Sequence, residues 1–275
     1  MTPLFQATER YWREQLAGPL PRLRLADGVA EPGGRIDFVA FHLDAPTTAA
    51  VTAAARRLRV TVNTFLVSGY VTVLRLLTGD EDIIVGIPFS GRYARELEDL
   101  VGLFVNSLAL RVRTAGLVTF TNVVRHVEQQ SLRALVHSRY PFNVLVEKLN
   151  PRRDSGRNPI FSTAFQYASF LPPAYQTAGL DLGLYGRPDG DRIELRASYH
   201  SRRLTAARVN ALVAGFGLVV AEGAADPERP VAELGRRMAQ AGLAPAGPDG
   251  ASAGGMPRGR LQDLLAARVR AGGGR

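Results

Sequence analysis

The sequence predicts an α/β protein in which helices pack on a mixed β-sheet. Short apolar runs with strand-like patterns alternate irregularly with longer segments whose apolar residues recur at helical spacing. Residues 83–88 form a continuous β-branched run, as expected of a strand buried on both faces. Residues 188–191, Pro-Asp-Gly-Asp, lie between two apolar segments, and their Asp-Gly pair indicates a β-hairpin. The irregular order of these elements leaves an α+β arrangement as the alternative.

Helical and strand-like segments follow one another in the first 80 residues. Helical spacing predicts helices over 8–17, 47–59 and 63–77, and imperfect apolar alternation predicts a strand over 36–43. The stretch between the first helix and this strand contains Pro and Gly and is expected to be irregular. Gly79 is expected to end the third helix, because glycine adopts the left-handed conformation without a steric penalty.

The chain from residue 101 to about residue 222 shows the same mixture of patterns. A strand is expected over 101–112, although Gly102 and the polar pair Asn106-Ser107 interrupt it. The other expected elements are helices over 118–137, 141–149 and 205–222 and strands over 160–167, 180–185 and 192–199.

The C-terminal part of the chain has a different composition. Residues 239–258 are mostly Ala, Gly and Pro, which bury too little apolar surface to offset the entropy of ordering. A short helical pattern follows over 261–270. We therefore expect one folded unit over 1–235, a linker over 236–258 and a separate segment over 259–275.

Composition excludes several classes of protein. The 275 residues include no cysteine, which excludes a disulfide scaffold, thiolate catalysis and sulfur-based metal sites. None of the four histidines stands at metal-ligand spacing from another ligand, so we expect no bound metal. No apolar run reaches the roughly 18 residues of a membrane span, and the N-terminus lacks a signal-peptide pattern. We expect a cytoplasmic protein that does not bind membranes.

The net charge of +9 suggests nucleic acid as a partner, but the pattern of basic residues argues against it. All but one of the 34 basic residues are arginines, the exception being Lys148, and they are scattered over the chain. No basic run is interleaved with aromatic residues in the way that suits a phosphate backbone. We therefore expect no nucleic-acid partner.

Three local patterns stand out in a chain without common catalytic motifs. There is no GxSxG, no GxxxxGK and no GxGxxG after a strand. The three patterns are VGLFVNS at 101–107, followed by Arg111, HSRYPF at 137–142 and RDSGRNPI at 153–160.

In order and separation, these patterns resemble the last three core motifs of the condensation domains of nonribosomal peptide synthetases. YWREQLAG at 11–18 and GDEDIIVGIPFSGR at 79–92 are also similar to segments of that family. The resemblance covers about residues 8–235. Residues 261–269 are similar to the opening of an adenylation domain, which is the usual next domain.

The resemblance implies a chloramphenicol-acetyltransferase-like lobe. Condensation domains pair two such lobes around a tunnel, and their HHxxxDG motif lies in the first lobe. This chain contains no His-His pair. The resemblance therefore implies a C-terminal lobe without catalytic residues of its own, which makes a peptide bond only when a histidine-bearing lobe docks on it. A non-catalytic remnant, or a docking platform for carrier proteins, is the alternative.

The resemblance also implies a set of partners. These are peptidyl or acyl carrier proteins, the missing N-terminal condensation lobe and an adenylation domain. No cofactor is expected to bind this chain directly, because the phosphopantetheine arm belongs to the carrier proteins.

Four residues are candidates for substrate binding: Arg92, Asn106, Arg111 and Arg157. An unpaired amide in an apolar strand is costly, so Asn106 is expected to make a structural hydrogen bond within the sheet or to face the tunnel. Arg111 is expected to bind a carboxylate, to face the tunnel or to lie on the surface at a strand end. Arg92 faces either the tunnel or solvent, and Arg157 is expected in an ion pair or an interface.

The chain departs from the family pattern at several positions. The family usually has Asp at Arg139, Glu at Asn143 and Ser at Gly156. The segment 168–179 is also shorter than usual, so the acceptor-side or lobe-bridging structure is expected to differ. For His137, in the second motif, we expect a structural role near the end of a helix.

Overall fold

The computed structural model describes residues 3–25, 35–90, 105–151, 156–168 and 179–243, which contain seven helices and six strands. The helices are α1 (Pro3–Gln15), α2 (Ala45–Arg57), α3 (Val62–Thr78), α4 (Phe120–Val136), α5 (Phe142–Leu149), α6 (Ala206–Ala225) and α7 (Val231–Gln240). The strands are β1 (Ile36–Leu43), β2 (Asp82–Ser90), β3 (Val105–Arg113), β4 (Thr163–Tyr167), β5 (Leu182–Asp189) and β6 (Arg192–His200).

The six strands form one mixed sheet in the order β1-β6-β5-β4-β2-β3. β2, β4 and β5 run parallel to one another, whereas β3, β6 and β1 pair antiparallel with their neighbours. The last residues of the three parallel strands therefore lie at one end of the sheet, which we call the carboxyl end. Their first residues lie at the opposite, amino end. The expected α/β class with a mixed sheet is confirmed.

Strand β2 contributes to both faces of the sheet, as its continuous apolar sequence predicts. Ile83 and Val85 belong to the main core, which the sheet forms with α2, α3 and α6. Ile84 belongs to a second cluster with Trp12 of α1 and Leu145 of α5. Because successive strand residues point to opposite faces, α1 and α5 cover the face that α3 and α6 leave open.

Local signals fix several element boundaries. The side chain of Thr61 accepts a hydrogen bond from the backbone N of Thr64 and so caps the start of α3. Gly79 ends that helix in the left-handed conformation with φ +71°, as expected. Asp189 pairs with Arg192 across a two-residue turn whose Gly190 has φ +60°, so the expected hairpin is confirmed.

The main difference from the sequence prediction lies at the C-terminal side of the folded unit. Helix α7 is missing from the sequence prediction, and the expected domain boundary at 235 falls inside it. Leu234 and Met238 are buried, and Leu243 beyond the helix is buried too. The segment contains only a few large apolar residues, so its sequence gives little indication of a helix. These residues become buried by packing against α6 and the core. Residues 244–275, with most of the expected linker and the adenylation-like segment, lie outside the described residues.

Within the described residues, α6 is long and apolar enough to span a membrane by length and composition alone. Helices α2 and α3 pass the same test only as a pair bent by 105°. Two thirds of the apolar window of α6 is buried inside the protein, where it packs on the sheet. A core helix meets these criteria as readily as a membrane span.

Candidate functional site

Asn106 joins the first sequence motif to the second. Its Nδ2 donates hydrogen bonds to the backbone oxygens of Ser138 and Tyr140, both at 2.8 Å. Its Oδ1 accepts a hydrogen bond from the backbone N of Phe142 at 3.0 Å. Both amide donors are thus satisfied by the turn between α4 and α5, and not by the sheet, where a structural partner was expected. We call this arrangement the Asn106 clamp.

Helix α1 fastens the same turn from the other side. Trp12 is 2% exposed, and its Nε1 donates a hydrogen bond to the backbone oxygen of His137 at 2.9 Å. The imidazole of His137 stacks on the ring of Tyr11 with centroids 4.1 Å apart, and its Nδ1 lies 3.3 Å from Thr8 Oγ1. Tyr140 packs against Phe5. The YWREQLAG segment therefore binds the HSRYPF segment directly.

The environment of this junction shifts the pKa values of three of its residues. Burial lowers the pKa of His137 and raises that of Tyr140. Burial raises the pKa of Tyr11 to about 12, although the nearby Arg133 acts in the opposite direction. His137 is held by stacking and by Thr8, which are the contacts of a structural residue.

The buried side chain of Arg111 forms an ion pair with the partly exposed Asp82 at the amino end of the sheet. The Arg111 side chain is 4% exposed, with Nη2 2.7 Å and Nε 2.9 Å from the two carboxylate oxygens. The same guanidinium donates to the backbone oxygens of Ala17 and Pro19 at 2.9 and 3.1 Å. The alternative of a surface arginine is wrong, because this network holds the segment after α1 against β2 and β3.

Asp80 and Glu81, which precede Asp82 in the acidic run at 80–82, also form ion pairs with arginines. Asp80 accepts hydrogen bonds from the backbone N of Arg24 at 3.0 Å and from its Nε at 2.9 Å. Glu81 pairs with Arg75 of α3 at 2.9 Å. Sequence reasoning missed these partners, although a run of three acids in an arginine-rich chain is a usable signal.

The third motif shapes the turn that leads into β4. Asn158 Oδ1 accepts hydrogen bonds from the backbone N of Ile160 at 3.0 Å and of Phe161 at 3.2 Å. Arg157 Nε lies 3.4 Å from Asp181 Oδ1, so the expected ion pair is present. Arg203 binds the same oxygen at 2.6 Å, and Asp181 itself is buried.

The candidate substrate-binding residues do not converge on one point. Asn106 pairs with Phe89 at the carboxyl end of β2, whereas Arg111 pairs with Ile84, about 16 Å further along the strands. Arg157 precedes β4 and so lies towards the amino end, and Arg92 lies outside the described residues. A substrate contact at any of these four positions stays a prediction.

The histidines are spread over separate elements. His42 lies on β1, His126 in α4, His137 after α4 and His200 at the end of β6. In the described ranges, no group of three or more His, Asp or Glu residues could hold a metal ion. The chain also contains no His-His pair.

A family model described as "Condensation domain" matches residues 1–237. The chain belongs to the condensation-domain family. The resemblance of the three motifs is thereby confirmed, and with it the chloramphenicol-acetyltransferase-like fold.

Curated relatives of this condensation-domain chain are large synthetases. It is 33% identical over 246 residues to surfactin synthase subunit 1 of Bacillus subtilis strain 168, a match to 83% of this chain and 7% of that protein. It is 29% identical over 243 residues to bacitracin synthase 3 of Bacillus licheniformis, and this match covers 82% of this chain and 4% of that protein. The chain therefore spans only a small part of these relatives.

Solved structures share the fold of this condensation-domain chain. A four-domain nonribosomal peptide synthetase bound to AMP and glycine superposes with a TM-score of 0.75 and 19% identity, over 82% of this chain and 20% of that chain. The X-domain from teicoplanin biosynthesis gives a TM-score of 0.75 and 21% identity, over 84% of this chain and 57% of that chain.

Proposed function

We propose that this chain is the C-terminal lobe of a condensation domain and makes peptide bonds in nonribosomal peptide biosynthesis together with a histidine-bearing N-terminal lobe. The observation that carries the proposal is the family match over residues 1–237 in a chain without a His-His pair. The chain also covers only 54 to 59% of several solved condensation and X-domain chains that it resembles.

The reaction joins two carrier-bound groups. The amine nitrogen of the acceptor attacks the thioester carbonyl of the donor, a C–N bond forms, the C–S bond breaks, and the proton lost by the amine ends on the released thiol. The imidazole that assists this attack comes from the partner lobe, through base catalysis or electrostatic positioning. The phosphopantetheine arms come from peptidyl or acyl carrier proteins, so this chain contributes no cofactor.

The role of the present lobe is to supply a rigid wall of the tunnel. The Asn106 clamp holds the turn between α4 and α5 against the carboxyl end of the sheet, where residues 91–104 follow β2 in the sequence. Arg92 stays our proposed substrate contact because it follows β2 by only two residues. For Asn106, Arg111 and Arg157, the protein partners described above support positioning roles.

The remaining proposals concern the surroundings of the lobe. Residues 244–258 would link it to an adenylation domain that begins within 259–275, as the similarity of 261–269 suggests. The large synthetases among its relatives support work in the cytoplasm beside carrier domains.

The test is reconstitution. The full chain is mixed with a separately expressed lobe that carries HHxxxDG and with loaded donor and acceptor carriers, and the amide product is measured by mass spectrometry. Product is expected only with both lobes. A partner lobe with the second motif histidine replaced by alanine is the matched control. A stable two-lobe complex that forms no product with several carrier pairs would overturn the proposal.

A docking platform without catalysis is the second candidate. One solved structure that the chain resembles, with a TM-score of 0.71, is a complex of the X-domain and OxyB from teicoplanin biosynthesis. The departures at Arg139 and Asn143 are both on exposed positions, where they change a surface and not the core. Titration of the chain with a phosphopantetheinylated carrier, followed by amide NMR shifts, tests this function. An absence of shifts at high carrier concentration would exclude the docking function.

A further inference from the structure

A cleft of about 580 Å³ opens at the amino end of the sheet. It lies between the segment that follows α1, the end of α5 and the turn that leads into β4. Its apolar floor includes Leu16, Ile160 and Phe161, all nearly fully buried, and Leu20 and Leu149 extend it. This volume and an apolar lining with few polar groups are typical of small-molecule sites.

The charged groups of the cleft are nearly all positive. Arg13, Arg22, Lys148 and Arg157 line it, and Asp181 is the one carboxylate among the described lining residues. Asp181 does not offset the other cations, because Arg203 and Arg157 already bind its Oδ1 at 2.6 and 3.4 Å. The cleft therefore has an excess of positive charge beside an apolar floor.

Two of these cations are available at the rim. The guanidinium of Arg13 has its side chain 64% exposed and lies 4.0 Å from Glu9, the limit of an ion pair. Lys148 is exposed and makes no ion pair within the described part of the chain. Arg13 and Lys148 also border an adjoining groove that contains Glu9 and Glu14, whereas these two carboxylates do not line the cleft itself.

The opposite wall is also positively charged. His200, beside Asp181, has its pKa lowered first by burial and then by Arg203 and Arg202. Asp181 only partly counteracts this effect. Burial is the main cause of this shift, and the smaller effect of the two arginines agrees with positive charge near this end of the cleft.

The cleft is separate from the junction of the first two motifs. The Asn106 clamp lies at the carboxyl end of β2, whereas the cleft borders Asn158 and Asp181, which precede β4 and β5. In open parallel sheets, ligands usually bind beyond the carboxyl ends of the strands. The cleft and the Asn106 clamp therefore lie at opposite ends of the sheet.

We propose that this cleft binds an amphipathic organic anion, a carboxylate or phosphate monoester that carries an apolar chain. The anionic group binds Arg13 and Lys148 at the rim, through charge-assisted hydrogen bonds. The apolar chain lies on Leu16, Leu20 and Phe161. The anionic group thus remains partly solvated while the chain leaves water, which matches the distribution of polar and apolar groups in the cleft.

The experiment titrates the full-length chain with four probes and follows amide NMR shifts. Octanoate and octyl phosphate carry the anion and the chain, octylammonium carries the same chain with the opposite charge, and acetate carries the charge without the chain. Saturable shifts at Gly18, Leu149 and Ser162 are expected with octanoate, with octyl phosphate or with both. Saturable shifts with octanoate but not with octyl phosphate would identify a carboxylate as the ligand class. Shifts with octyl phosphate but not with octanoate would identify a phosphate ester.

Variants make the test specific. The double substitution Arg13→Gln and Lys148→Gln is expected to weaken binding at least about tenfold, because it removes both rim cations. Arg125→Gln on α4, outside the cleft, is the matched control and should leave binding unchanged. Octylammonium binding as tight as octanoate, unchanged affinity in the double variant, or no saturable shift with either anionic amphiphile overturns the proposal. Each result is independent of amide formation in the two-lobe assay.

Discussion

The backbone N of Phe142 donates a 3.0 Å hydrogen bond to Oδ1 of Asn106, a residue 36 positions earlier in the chain. This bond ties the first residue of α5 to the start of β3. With the two bonds from Asn106 Nδ2, one side chain makes three hydrogen bonds to the backbone of the α4–α5 turn. The two motifs that contain these residues are thus a single structural unit.

Removal of the Asn106 amide is expected to destabilise the protein. Asn106→Ala leaves two backbone carbonyls and one backbone N–H without their partner, and we expect a loss of about 2 kcal/mol in the free energy of unfolding. Urea unfolding followed by circular dichroism measures it. Asn143→Ala, at an exposed position of α5, is the control and should stay within about 0.5 kcal/mol. Equal stabilities of the two variants would contradict the clamp.

Loss of the Arg111 guanidinium is expected to be more damaging. Arg111→Met leaves the carbonyls of Ala17 and Pro19 without their donor, and it leaves Asp82, which is 34% exposed, with only Arg113 nearby, so we expect a loss of about 3 kcal/mol. Arg113→Met is a matched control, because Arg113 is 56% exposed and lies 4.0 Å from the same Asp82. That variant should lose less than about 1 kcal/mol. A reversed order of the two variants in urea unfolding excludes the network as the anchor of this segment.

Acidification is expected to destabilise the fold in the range where histidines titrate. Burial lowers the pKa values of His126, His137 and His200 below the ordinary 6.5. The unfolded chain therefore binds protons first as the pH falls, and the contribution of the neutral histidines is present above about pH 6.5 and lost below it. The free energy of unfolding should fall between about pH 7.5 and 5.5. His126→Asn and His137→Asn should each weaken this dependence, and a flat profile would count against it.

The single tryptophan offers a direct measure of how α1 docks. Trp12 is 2% exposed and bonded to the backbone oxygen of His137, so its emission should be blue-shifted and poorly quenched by acrylamide. Unfolding should shift the emission to the red. Arg192→Gln, at an exposed position at the start of β6, is a control that leaves α1 in place. Emission like that of a solvated tryptophan in the folded chain is incompatible with the described docking.

An exposed apolar patch on the last turns of α4 is expected to bind hydrophobic dye. Leu132, Leu135 and Val136 are 59%, 47% and 75% exposed and lie three and four residues apart on one helix face. The triple substitution to serine should lower dye fluorescence and reduce any self-association, with little change in stability. Light scattering and dye binding on the same samples measure both effects. A monodisperse wild-type chain that binds no dye would disprove this expectation.

Short-range patterns in the sequence were sufficient for most elements. The helix over 63–77, its stop at Gly79 and the hairpin around Gly190 depend on residues within a few positions of one another, so spacing and turn chemistry predict them. The motif resemblance likewise found the family without any coordinates. Helix α7 was missed because its sequence contains only three large apolar residues among Ala, Gly and Arg, which is a weak helical pattern. These three residues are buried only because the helix packs against the rest of the fold.

The sequence by itself therefore determined the class of fold, the order of its elements as far as α6, the family and the absence of a histidine pair. Only the tertiary structure decided which groups satisfy the candidate residues. Asp82 is 29 positions from Arg111 and Ser138 is 32 from Asn106, distances over which local propensity carries no information. The cleft at the amino end is likewise built from segments more than 100 residues apart. The packing of the helices on the sheet determines these partners. A buried charge or amide is costly without a hydrogen bond, and only the tertiary structure determines which group lies close enough to make one.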